Sequence, residues 1–553
     1  MSGTTPPDES RLISPQEFET LLAEAKLTVP EADHHDFRVL LSVLDEAAQQ
    51  VMQLDDDQPA VDMALYPRTD IHVPAAQDTD EGGWATKARV VCTRPTSSLL
   101  AGRTLALKDN IALAGVRCLN GTPPVGGDAN AWVPRVDATV VTRVLDAGAT
   151  ILGKAACENG CFGGVSDTAC TGPVDNPWAP GYSTGGSSSG SARLVASGQV
   201  DLTLGCDQGG SIRLPAAHCG LVGHKPTWGL VPYTGIISLE ATMDHVGPMT
   251  KTVADCALLM DVVAGADGVD DRVPRMVKHG SLGYVEGVQA ALAKETMPLA
   301  GLRIGILKEG FESARMDAGV EKVVRAAAAK FASYGATVET CSIPLHVEAT
   351  TAWMCALPVA GMRQSLLGDM TGRKQLYLTN RIDMMQKENP DGLLSQATFD
   401  AYGPGGQNTF LRGRFLQKKY GPGLHARAMN RMRQLTAEYD KALEKFDLLV
   451  MPTTQMLTIR TMTREQKAAE RAGPLRLINR NMGVTYNTAP FDFSGHPALS
   501  LPVGFASPAD DPMVKLPVGM QLVGRQYEDG LCLQAAAVWE RENEWQKCYA
   551  GDL

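Results

Sequence analysis

The chain has 553 residues, enough for several domains or for one large α/β domain with extensions, and its 44% apolar and 20% charged composition is that of a folded globular protein, not a disordered or collagenous one. Acidic side chains (62) exceed basic ones (51), giving a formal charge of -11 without a long single-sign block, which argues against a broad basic surface for nucleic acid. The opening MSGTTPPDES lacks the basic flank and apolar core of a secretory signal, and no run of about 18 apolar residues occurs, so a cytoplasmic, non-membrane setting is expected.

Two helical patterns, near 15 to 27 and 35 to 54, open the chain, followed by a polar run rich in Asp and Pro. In the second, Phe37, Leu40, Leu41, Leu44, Ala47 and Val51 recur at i, i+3, i+4, i+7 spacing and form one apolar stripe. That stripe needs a cover, either the main body or another subunit. Residues 1–95 therefore read as an N-terminal helical extension and candidate dimerisation element, ahead of a main domain over 96–545. In that domain β-like runs at Leu105 to Leu107, Ile151 to Gly153, Leu202 to Gly205, Arg303 to Leu307, Leu448 to Met451, Leu499 to Val503 and Gly519 to Val523 alternate with helical stretches. The helices fall at 138 to 148, 252 to 264, 316 to 334, 425 to 445 and 529 to 541. This alternation predicts an α/β fold with a mixed, mostly parallel central sheet flanked by helices. The stretch from about 345 to 425, with its Met, Gly and Pro clusters, breaks the rhythm and reads as an insertion shaping a pocket.

Twelve cysteines are too sparse for a disulfide scaffold, and none stand in CxxC spacing, so they are expected to be reduced and mostly buried. The nearest pair, Cys157 and Cys161, has no His close in sequence. No metal site and no cofactor are expected.

The most unusual composition is GYSTGGSSSGSARLVASGQVDLTLGCDQGG, from Gly181 to Gly210, running on into SIRLPAAHCGLVGHKPTWG. A flexible linker is the ordinary reading of Gly and Ser, but linkers do not sit between core elements, and here a helix and a strand follow at once. A phosphate-cradling loop would need GxxxxGK[ST] or GxGxxG, and neither is present. Gly181 to Gly185 and Gly186 to Gly190 both fit G-x-S-x-G, with Ser183 or Ser188 as nucleophile, yet the preceding DNPWAP is a turn-forming run where that motif requires a strand. Neither S-x-x-K nor HExxH occurs.

The segment LALKDN places Lys108 at the end of an apolar β-run, an unusual seat for a side chain that normally stays solvated. An isolated case would be a lysine snorkelling from a strand end. The ordered set LALKDN, GGSSSGSA, GCDQGGSIRLPAAHCGLVGHKPTWG, with ATVVTRVLDAGATILGK and the C-terminal GHPALSLPVG and LPVGMQLVGR, resembles the amidase signature family. The resemblance spans about 97 to 541. It implies an α/β core and amide hydrolysis by a Ser, cis-Ser, Lys triad, with Lys108 as the lysine, Ser187 as the bridging serine and Ser211, 24 positions later, as the nucleophile. It further implies a cis peptide between Gly186 and Ser187.

The chemistry fits those residue types. Amide hydrolysis needs an activated nucleophile, a seat for the oxyanion and a proton for the departing amine. Neutral Lys108 would take a proton from Ser187 as Ser187 takes one from Ser211, and the reverse path would protonate the leaving nitrogen. This requires the lysine's pKa to fall well below ~10.4, each unit being about 1.4 kcal/mol. Backbone N–H groups of Gln208, Gly209, Gly210 and Ser211 are the expected oxyanion donors, with Asp207 and Arg213 bracing the turn.

The Gln of DQGGS, GHKPTWGLVPYTG and the helical extension resemble the subgroup of broad-range amidases that work alongside nitrile hydratases, which implies a homodimer paired through the N-terminal helices. The Lys108-to-Ser187 spacing is longer than is usual for the family, and an insertion around CLNGTPPVGGDANAW at the pocket rim would account for it. Phe162 and Trp353 are candidate walls of an apolar acyl pocket, and an ordinary core role for Phe162 fits equally. The expected substrate is a small amide with an aromatic or medium aliphatic acyl group. The same machinery would cleave carbamates or aryl esters, and an amidotransferase A-type subunit is the alternative, disfavoured by the N-terminal extension. A non-catalytic glycine-loop binding module would bind ligand without turnover.

Overall fold

The computed structural model describes residues 10, 12–369, 372–469 and 473–550 and falls into two units, Met1–Pro59 and Ala60–Leu553. The first is a helical hairpin. Helix α1 (Pro15–Ala25) starts where the Ser14 side chain accepts the Glu17 N–H and Pro15 fills the first turn, and α2 (His34–Gln53) returns along it. Between them the Phe18 ring meets His34 at 5.3 Å and Phe37 at 6.5 Å, and the Ser42 hydroxyl accepts the Ile13 N–H at 2.8 Å. Most of the anticipated stripe is not used in this packing: Leu40, Leu44 and Val51 are 64, 65 and 65% exposed.

The second unit is built on strands β1 (Arg68–His72), β2 (Trp84–Val90), β3 (Thr104–Lys108), β4 (Thr150–Ala155), β5 (Asp175–Asn176), β6 (Ala179–Ser183), β7 (Leu202–Asp207), β8 (Val222–Lys225), β9 (His245–Thr250), β10 (Arg303–Leu307), β11 (Thr337–Cys341), β12 (Leu448–Pro452), β13 (Ala498–Ala506) and β14 (Leu516–Val523). Twelve of them form one sheet in the order β1-β2-β4-β3-β7-β9-β8-β13-β14-β12-β10-β11, while β5 and β6 form a separate ribbon. Beyond Gln53 the 1–95 segment holds no further α-helix, only a 3-10 turn at Ala76–Asp78, and contributes β1 and β2 to the sheet.

The mixed sheet is observed, with parallel pairing confined to two blocks, β4-β3-β7 and β12-β10-β11, and antiparallel pairing elsewhere. The parallel neighbours are joined through helices, as parallel geometry demands. Helix α3 (Thr139–Asp146) lies between β3 and β4, and α4 (Ser189–Ala196) between β4 and β7. Next come α5 (Arg213–Cys219), α6 (Val253–Val263), α7 (Tyr284–Leu292) and α8 (Ala318–Ala329), the last linking β10 to β11. Every residue of β7 is buried, so its side chains are covered on both faces.

The stretch from 345 to 425 is helical: α9 (Ala349–Gly361), which continues through a π turn at Met362–Leu366, then α10 (Thr379–Glu388), α11 (Gln396–Ala401), α12 (Pro404–Tyr420) and the start of α13 (Pro422–Lys445). Its Gly and Pro residues sit largely at helix starts (Pro404, Pro422) or inside a helix (Pro358), which is why its periodicity is hard to read. The turn expected in DNPWAP is present at Pro177 and Trp178, but it joins β5 to β6 in a hairpin, so that a short strand runs up to Ser183. No described helix is long and apolar enough to cross a membrane.

Candidate active site

Strand β3 ends at Lys108, whose side chain is fully buried. Its Nζ donates to Ser187 Oγ at 2.8 Å and to the Cys206 carbonyl at 3.2 Å. Parallel pairing of β3 with β7 brings that carbonyl alongside. Ser187 follows a cis peptide from Gly186. A Cβ on Gly186 would lie 2.3 Å from the Val165 carbonyl oxygen and 2.8 Å from Glu158 Cγ, so only glycine fits. The Ser188 N–H donates to the Ser211 carbonyl at 3.3 Å and ties the two serine segments together. Ser211 is partly exposed and lines a cavity of about 340 Å³ that also touches Gly186, Gln208 and Gly209. Lys108 and Ser187 are therefore in direct contact, while among the described residues no hydrogen bond joins the Ser187 and Ser211 hydroxyls. The other G-x-S-x-G serines point into the protein: Ser183 Oγ accepts the Gly185 N–H, and Ser188 Oγ donates to the Cys206 carbonyl.

The turn after β7 is organised by Asp207. Its carboxylate accepts the N–H of Gly210 at 2.5 Å and of Ile212 at 3.0 Å, and the Arg213 guanidinium through Nε and Nη2 at 3.0 Å each. Gly210, expected to offer its N–H to the cavity, instead gives it to this carboxylate. The N–H groups of Gln208, Gly209 and Ser211 have no protein acceptor among the described residues. The carbonyls of the same loop are held away by Trp353 Nε1, which donates to Gln208 O at 3.0 Å, and by Thr488 Oγ1, which donates to Gly209 O at 2.6 Å.

Arg213, expected as a brace, also donates to Asp492 at 2.9 Å and to Gln521 Oε1 at 2.8 Å, with both ion pairs fully buried. Although burial opposes ionisation of Asp207, the guanidinium holds its carboxyl far below the usual carboxylate range. Burial and the Asp207 charge push Asp492 up.

Lys108 departs from expectation in one respect. Burial drives its ammonium toward deprotonation, but the negative charge of Cys161, Cys206, Cys157 and Asp207 outweighs burial and leaves its pKa raised, not lowered. Its sequence neighbour Asp109 is not the counterion, because that carboxylate pairs with buried Lys154 at 3.3 Å. Burial pushes Cys206 up to about 12, and Cys157 is also raised well above the ordinary thiol, first by its hydrogen bond with Cys161 and then by burial. Cys161 is held down to about 6, first by a hydrogen bond with Cys157 and then, against burial, by the Lys108 charge and Ser187.

Phe162 and Trp353 both line the cavity, with Leu239, Leu357, Ile478 and Met482. Trp353 and Leu357 come from α9, so the region read as a pocket-shaping insertion does contribute to the wall. The CLNGTPPVGGDANAW segment lines a separate cavity of about 70 Å³ and not the larger one. Sequence reasoning missed Thr488, Asp492 and Gln521, which lie about 280 to 310 positions from the loop they hold and carry no local motif. The described residues contain no cluster of His, Cys, Asp and Glu able to hold a metal.

A sequence model of the amidase family matches residues 84–533. The chain belongs to the amidase signature family. Members are hydrolases acting on amides, and this chain is an enzyme of that type. It is 39% identical over 475 residues to the enantioselective amidase of Rhodococcus rhodochrous, covering 84% of each chain. It is 33% identical over 451 residues to the A-type subunit of the glutamyl-tRNA(Gln) amidotransferase of Moorella thermoacetica, covering 81% of this chain and 84% of that one. The crystal structure of the peptide amidase from Stenotrophomonas maltophilia superimposes with a TM-score of 0.59 at 26% identity, covering 80% and 83%.

In this amidase, removing the guanidinium would strand two buried carboxylates. Arg213→Met is expected to cost about 3 to 5 kcal/mol of stability. A denaturation midpoint equal to that of the parent protein would show that the network carries no such load.

Proposed function

We propose that this enzyme hydrolyses a carboxylic amide to the acid and ammonia or an amine through an acyl-enzyme on Ser211. The observation that carries this reading is a fully buried lysine 2.8 Å from the hydroxyl of Ser187, beside a cavity lined by Ser211, Gln208 and Gly209, whose three N–H groups have no acceptor among the described residues. Deprotonated Lys108 accepts the Ser187 proton while Ser187 takes that of Ser211. The Ser211 alkoxide then attacks the amide carbonyl. The oxyanion is received by N–H groups of Gln208, Gly209 and Ser211, each such donor being worth about 100-fold or more in rate. Run in reverse, the relay protonates the leaving nitrogen, and water repeats the sequence on the ester.

The apolar wall of Phe162 and Trp353 suits an aromatic or medium aliphatic acyl group. Carbamates and aryl esters offer the same carbonyl to the same groups and form the second substrate class. The higher identity to an amidase than to an amidotransferase component favours a free-standing hydrolase. Free thiols throughout the described chain suit a cytoplasmic setting.

A serine-directed fluorophosphonate should label Ser211, and Ser211→Ala should abolish both labelling and turnover; a Ser211→Ala protein that still hydrolyses amides would end the proposal. The pH dependence follows from the raised pKa of Lys108, set by Cys161, Cys206, Cys157 and Asp207. The base form is lost as pH falls and grows as pH rises, so kcat/KM should climb from neutral into the alkaline range, by about tenfold per unit below the controlling pKa. A profile flat down to pH 5 would remove Lys108 from the role of base.

For the assembly, the exposed Leu40, Leu44 and Val51 of α2 support a homodimer paired through the N-terminal helices. Sedimentation should give twice the 59.0 kDa chain mass, and a monomer at micromolar concentration would contradict it.

A further inference from the structure

The cavity holds a second nucleophile that amide hydrolysis does not use. Cys161 closes the short turn Asn159–Cys161 immediately before Phe162, is only partly buried and lines the cavity. Its Sγ lies 4.0 Å from that of Cys157, which is fully buried behind it, and 3.2 Å from Asn120 Oδ1. Cys157 first, and then Lys108 and Ser187, which hydrogen-bond to each other at 2.8 Å, favour the ionised form of this sulfur. A cationic neighbour and partial exposure make a thiol reactive, while a second sulfur within reach allows its oxidised form to be resolved.

We propose that Cys161 is an oxidative modification site of the acyl cavity, attacked by hydrogen peroxide and resolved by Cys157 into an intrachain disulfide. In the first step the Cys161 sulfur attacks one peroxide oxygen. The S–O bond forms, the O–O bond breaks, sulfur loses two electrons and the departing hydroxide takes up the thiol proton as water. In the second the Cys157 sulfur attacks the sulfenic sulfur. The S–S bond forms, the S–O bond breaks, and hydroxide leaves with the Cys157 proton as a second water. Two thiols and one peroxide thus give one disulfide and two waters. A disulfide is about 2.05 Å long, so the sulfurs must close by about half their present separation. That movement draws Cys161 off Asn120 Oδ1 and shifts the turn leading to Phe162. The thiol chemistry stands independently of the proposed triad, and only its effect on turnover rests on that reading.

The full-length reduced protein is treated with graded hydrogen peroxide, then mapped by mass spectrometry and assayed on an amide substrate. The expected result is a Cys157–Cys161 bridge, with kcat/KM falling severalfold in step with it and returning with dithiothreitol. In Cys157→Ser, where resolution is blocked, dimedone should trap a sulfenic acid on Cys161. Wild-type protein in which both thiols stay free under peroxide, a bridge that leaves kcat/KM unchanged, or dimedone adducts found only on other cysteines would each overturn the proposal. Should the untreated protein lack amidase activity altogether, the hydrolase reading falls, while the bridge and the dimedone adduct still decide the thiol chemistry.

Discussion

A lysine ammonium with no exposed surface, served by one hydroxyl and one carbonyl and denied a carboxylate of its own, is the constraint around which the site is arranged. Removing a cation from water is costly unless its donors are satisfied or it gives up its proton. The chain leaves both routes open. Asp109, the nearest carboxylate in sequence, is turned to Lys154 and so cannot lock Lys108 into an ion pair. The remaining charged partners are Asp207 and the thiols of Cys161, Cys206 and Cys157, which carry charge only when they have themselves lost a proton.

The same allocation of polar groups governs the loop from Asp207 to Ser211. Asp207 takes the N–H of Gly210 and Ile212 and both arms of Arg213, while Trp353 and Thr488 take the carbonyls of Gln208 and Gly209. What remains is the N–H of Gln208, Gly209 and Ser211, three residues that line the cavity and whose amides have no acceptor among the described residues. Backbone amides left unpaired are costly when buried, and here they border space that a ligand oxygen can fill. The buried network of Arg213, Asp207, Asp492 and Gln521 anchors the loop through Asp207.

Much of the fold was legible because apolar runs such as Leu105 to Leu107 and Leu448 to Met451 have strand length and sit between amphipathic helices. The strands that escaped notice have a physical reason to do so. Strand β9, HVGPMT, carries Pro248 within a fully buried strand, and β8, VGHK, sets His and Lys inside the sheet; neither has the alternation or β-branched content of a strand signal. The helices of the 345 to 425 region were hidden by their own Gly and Pro residues. In the site, Lys108, Ser187 and Ser211 stood out because each lies in an unusual local context, whereas Thr488 is an ordinary threonine until the chain brings it to Gly209.

By itself the sequence determined the elements, their alternation and the residue types able to move a proton and attack a carbonyl, since these depend on local pattern and on side-chain chemistry. Tertiary structure alone decided which N–H groups stay unpaired, which carboxylate Lys108 is denied and which sulfur stands beside it. Those outcomes depend on contacts between residues tens to hundreds of positions apart, and in a low-dielectric interior such contacts decide where the charge sits.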